Sequence, residues 1–124
     1  MKKKILASMM AVALSITCIG GSVSAASYSE STSEFGTFKA TLNKSGRTAT
    51  ATTKTTKVAS SIYCNVEIQY NSTGETIDYD ENTESNDTYV TSRVTNYKSF
   101  SVAVFSCHEA RGNGSVVKYF ADVI

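Results

Sequence analysis

Between Val58 and Tyr70 the chain keeps a period of two. Val58, Ser60, Ile62, Cys64, Val66, Ile68 and Tyr70 share one side, and Ala59, Ser61, Tyr63, Asn65, Glu67 and Gln69 share the other. A half-buried β-strand has that pattern. Before it, Phe38, Ala40 and Leu42 alternate toward a turn at Lys44-Ser45-Gly46, and Thr48–Thr56 is a run of small and β-branched residues suited to an edge strand. After it, Asn71-Ser72-Thr73-Gly74 is a turn, followed by a short strand at Thr76–Asp80, an acidic loop from Glu81 to Asp87, and a strand from Thr88 to Tyr97. Ser99–Glu109 is apolar on both sides, Phe100, Val102 and Val104 against Ala103, Phe105 and Cys107, as in a central strand. Gly112-Asn113-Gly114 closes a hairpin onto a last strand at Ser115–Val123.

About seven short strands separated by Gly, Asn and Ser turns predict an all-β fold, a small antiparallel β-sandwich. Composition agrees: Ser and Thr supply 29 of the 98 residues from Ser27 onward, and Pro and Trp are absent. The reading divides the chain into a signal peptide at 1–25, a disordered lead-in at 26–34 and a single domain at 35–124. Ser27–Glu34 enters the lead-in because it carries almost no apolar side chain.

The first residues bear on compartment. Lys2, Lys3 and Lys4 precede an apolar stretch from Ile5 to about Ile19, and Val23-Ser24-Ala25 offers the small residues that signal peptidase accepts. The expectation is a secreted protein cleaved near Ala25, with no membrane span in the mature chain. Cleavage removes Cys18 and leaves Cys64 and Cys107, an even pair in an oxidising space, which predicts one inter-strand disulfide. In the chain-entropy account such a bridge would contribute roughly 4 kcal/mol.

Charge changes the picture by its distribution. Phe35–Val66 holds Lys39, Lys44, Arg47, Lys54 and Lys57 and no acid, whereas Glu67–Thr91 holds seven acids and no base. The near-zero sum excludes a strongly basic nucleic-acid binder, and cross-strand neutralisation of neighbouring strands is the simplest expectation for the two fields.

Candidate chemistry is sparse, and neither a catalytic residue nor a cofactor is called for. His108 is the sole histidine; it reads as a solvent-facing residue near a strand end, and a small hydrolase built on it is the third-ranked functional reading. Asp78, Asp80, Asn82 and Glu84 recur at every second position and form a weak calcium candidate, although Thr83 stands where an EF-hand loop needs Gly. Tyr63, Asn65 and Gln69 form a polar and aromatic strand face of the kind that binds sugars.

The basic-then-apolar leader, the short Ser/Thr-rich β domain after it and the absence of a catalytic motif resemble small secreted proteins of Gram-positive bacteria, including lactococcin-972-like bacteriocins. That resemblance implies an antagonist acting at a cell envelope and assigns no residue a role. The expected function is therefore non-enzymatic surface binding at an envelope. The alternative is a carbohydrate-binding module using the Tyr63, Asn65 and Gln69 face.

Overall fold

A computed structural model describes residues 25–124. Residues 1–24, which include Cys18 and all of the expected leader but Ala25, lie outside the described residues. The described chain forms one antiparallel sheet of six strands: β1 (Ala25–Thr32), β2 (Gly36–Ser45), β3 (Thr48–Gln69), β4 (Thr76–Thr95), β5 (Ala103–Arg111) and β6 (Ser115–Val123). Their order is β1-β2-β3-β5-β6, and β4 pairs with the remaining edge of β3. All-β architecture and antiparallel pairing stand as expected; the strand count of seven does not, the described strands form one sheet and not the two of a sandwich, and the expected lead-in is strand over residues 26–32.

Two pairs of anticipated strands are each one strand. Thr55-Thr56-Lys57-Val58 contains no Gly, Asn or Pro to turn the chain, so β3 runs on through it. The acidic segment at 81–87 is likewise strand: Glu81 sits opposite Asn65, Thr83 opposite Tyr63 and Ser85 opposite Ser61. Charge along that stretch decorates an exposed sheet edge, where it discourages pairing with other chains. The segment read as a disordered lead-in forms β1, with Ala26 paired to Leu42 and Tyr28 to Ala40. Ala26 and Tyr28 pack against the core, so these two apolar anchors and the ladder with β2 suffice to order a Ser-rich strand.

The pivot of the fold is a register shift in β3 between Lys54 and Ala59, opposite Tyr89 and Asp87 of β4. Unequal numbers of residues on the two strands bend the hairpin sharply. The first half of β3 then pairs with β2 and the second half with β5, on the same edge, and the sheet curls into a half-barrel. Core-facing positions change parity across the bend, from Ala49, Ala51 and Thr53 to Ile62, Cys64, Val66 and Ile68. Val58, assigned by alternation to the apolar face, is 61% exposed because it sits in the shift.

Phe38, Leu42, Ile62, Val66, Ile68 and Val104 fill the space between the two halves and are fully buried. Each such side chain contributes about 1.5–3 kcal/mol of transfer free energy. Polar side chains close the fold at its margin. Thr53 Oγ1 donates to the Tyr63 carbonyl (2.9 Å), Ser92 Oγ to the Cys64 carbonyl (3.1 Å), and Asn82 Nδ2 to the Thr91 carbonyl (2.9 Å). Lys44 reaches from β2 to Asp122 of β6 at 3.0 Å, with both side chains largely shielded. The β5–β6 turn is held by Glu34, whose carboxylate accepts the backbone N–H groups of Asn113 (2.6 Å) and Gly114 (2.9 Å). A Cβ on Gly112 would stand 2.1 Å from that carboxylate, so a side chain there would push Glu34 off the turn.

The expected disulfide is absent. Cys64 and Cys107 are free and buried. β5 pairs with β3 so that Cys64 faces His108 and Cys107 faces Asn65, which sends the two sulfurs to opposite faces of one sheet. Because Ser99–Glu109 is apolar on both sides, its alternation carries no information about which face Cys107 takes. Burial pushes the Cys64 thiol up to about 11 and the Cys107 thiol up to about 12, so neither forms the reactive thiolate at neutral pH.

Candidate functional site

The second half of β3 is buried on both faces. Facing away from the main core, Phe105, Ala103 and Cys107 form a second apolar cluster against which Tyr63, Tyr119 and Ala121 pack. Cross-strand register assembles it: Tyr63 stands opposite Glu109 and Thr83, and Cys107 opposite Tyr119. Four strands thus deliver aromatic and charged residues to one surface, as every second residue of each can.

At the upper end of this face lies an open depression of about 690 Å³. Its walls include Tyr63, Tyr119, Val117 and Cys107, with Glu81, Glu109 and Arg111 as its charged groups. The tyrosines are pre-set as hydrogen-bond donors. Tyr63 and Tyr79 both donate to Glu81 Oε1, at 3.0 and 2.5 Å. Burial, then the neighbouring hydroxyl and carboxylate, raises the Tyr63 phenol far above its ordinary range; burial and Glu81 raise Tyr79. Tyr119 is raised by burial and by Cys107 beside it. Arg111 and Glu109 form an ion pair at 2.8 Å, with the guanidinium largely in solvent.

Of the sugar-binding face read from sequence, only Tyr63 borders the depression. Asn65 is fully buried; its Oδ1 accepts the Cys107 backbone N–H (2.9 Å) and its Nδ2 donates to the Tyr79 hydroxyl (3.4 Å). Gln69 is buried as well, its Nε2 donating to Glu67 Oε2 at 3.1 Å. Both amides are consumed inside the sheet. The contributions from Glu81, Glu109, Arg111 and Tyr119 were not readable in advance, since pairing partners set them. The alternation of Tyr119 with Lys118 and Phe120 was the one available signal.

The calcium candidates separate. Alternate residues of an extended strand stand about 6.8 Å apart. Asp78, Asp80, Asn82 and Glu84 therefore spread along β4 instead of converging. Asp80 Oδ2 accepts the Arg93 backbone N–H at 2.9 Å, and Asn82 donates to Thr91 and Ser92. Among the described residues no group of three His, Cys, Asp or Glu side chains is placed to hold a metal ion.

His108 is fully buried in the main core, not solvent-facing. Its Nδ1 lies 3.0 Å from Thr53 Oγ1, its Nε2 lies 2.8 Å from Ser106 Oγ, and its ring meets Phe120 edge to face. Thr53 spends its proton on the Tyr63 carbonyl, so Nδ1–H donates to Thr53 and Nε2 accepts from Ser106. Burial pushes the imidazole down to about 4. A serine and a histidine thus sit within hydrogen-bonding distance, but with neither exposed to a substrate and on the face opposite the depression.

Compared with known protein families, curated proteins and solved structures, the chain matches none.

Proposed function

We propose that this protein is a secreted, non-catalytic binding module that takes a glycan of a cell envelope in the depression bordered by Tyr63 and Tyr119. One observation carries the reading: aromatic rings and fixed polar groups share an open hollow on a rigid sheet. Sugar rings present an apolar face to an aromatic side chain and hydroxyls to carboxylates and guanidinium groups, and each partner is on this surface. Glu81 is held by two phenols and Glu109 by Arg111, so little ordering accompanies binding. The lysine-led apolar start of the chain supports export to such a surface.

The experiment is retention of purified protein on insoluble peptidoglycan and on plant polysaccharide. Retention lost in Tyr63→Ala and Tyr119→Ala, with each variant still folded at the assay temperature, is the expected result. No retention on either matrix, or retention indifferent to both substitutions, overturns the reading. Growth inhibition of competing bacteria by the purified domain would turn the module into an antagonist.

A further inference from the structure

The charge asymmetry of the sequence acquires a location on the sheet's other half. On the solvent side of β1, β2, the first half of β3 and the last part of β4, side chains fall into transverse rows. Lys39 stands directly opposite Lys54, and next to them on β4 is Tyr89. The adjacent row is Ser27, Thr41, Thr52 and Thr91, all hydroxyls. The row beyond brings Arg93 beside Thr50. Lys39, Lys54 and Arg93 are exposed, and among the described residues none of them has an ion-pair partner. Asp80 takes the backbone N–H of Arg93, not its guanidinium, and the exposed carboxylate of Asp87 stands two residues before Tyr89, at the register shift and outside these three rows.

Like charges placed directly opposite on a sheet repel. The expectation that neighbouring strands neutralise these lysines is not met: the acids lie on the first half of β4, paired to the second half of β3. We infer that this face docks an anionic polymer of phosphodiester-linked polyol or sugar units. The complementarity is one of charge and of alternation. Rows of residues lie about 6.8 Å apart along a strand, so the two basic rows are separated by about 13–14 Å with a hydroxyl row between them. Phosphates separated by hydroxylated units present the same sequence of groups. Nucleic acid fits less well: among the described residues the basic side chains of this face lie in rows on a sheet and not along a groove, and the exposed ring of Tyr89 already has the Lys54 ammonium 5.9 Å from its centroid.

The test measures binding of the folded domain to synthetic poly(glycerol phosphate), with an uncharged polyol and single-stranded DNA of equal charge as comparisons. Binding to poly(glycerol phosphate) should weaken roughly tenfold between about 50 and 200 mM salt, as release of a few counterions requires. Lys39→Gln with Lys54→Gln should cost about tenfold or more while the thermal unfolding temperature does not fall, and Tyr63→Ala should leave this binding intact. Absence of binding, equal binding by the double variant, or tighter binding to DNA would overturn the inference. Because Tyr63 lies on the other surface, failure here is distinguishable from failure of the glycan reading.

Discussion

The two halves of β3 belong to one strand and teach different lessons. From Thr48 to Thr55 the burial alternates, with Ala49, Ala51 and Thr53 enclosed and Thr50 and Thr52 half-open above them. From Ile62 to Gln69 all but Tyr63 is buried, Asn65, Glu67 and Gln69 included. A strand with one wet face needs only period-two patterning, and its outward positions remain free to carry a chemical array. A strand with two dry faces must satisfy every polar side chain it holds, and the Asn65, Glu67 and Gln69 hydrogen bonds do most of that. Glu67 Oε1 is left without a partner, and among the described residues it is the place on this face where the requirement is unmet.

If the second half has two cores, truncating either should cost alike. Phe38→Ala in the main core and Phe105→Ala in the second cluster should each destabilise by about 3–5 kcal/mol in chemical denaturation. Thr52→Val on the open face should change stability by less than about 0.5 kcal/mol. A mild Phe105→Ala would reduce the second cluster to surface and dissolve the contrast.

Next in size is acid sensitivity. His108 is neutral in the folded chain down to about pH 4, whereas the unfolded chain protonates near 6.5. The unfolded state therefore binds the extra proton between those values, and stability falls as pH drops from about 6.5 to 4, by roughly 3 kcal/mol in total. His108→Gln should flatten that window in denaturation series at stepped pH; an unchanged slope would remove His108 from the core.

Much of the fold was legible because single residues announced it. The turns at Gly46, Gly74 and Gly112-Asn113-Gly114 fall where expected, and Ile62, Val66 and Ile68 face the main core as their spacing required. Three things were not legible. Acidic residues at 81–87 suggested a loop because propensity does not register that a charged strand can border a sheet. Ser27–Glu34 lacked apolar content, yet pairing with β2 orders most of it. The face taken by Cys107 depended on the pairing of β5 with β3, which a segment apolar on both sides cannot reveal. The same ambiguity hid Glu109 and Arg111 from the candidate site and drew Asn65 and Gln69 into it.

That pairing is the hinge of the proposed glycan site, because sliding β5 by one residue would carry Cys107 into the main core beside Cys64 and strip Glu109 and Arg111 from the depression. Thiol alkylation of unreduced, denatured protein followed by intact mass measurement reads it directly. Cys64 and Cys107 should both be modified; a mass showing neither modified and two hydrogens missing would place the sulfurs on the same face and contradict the register on which the depression rests.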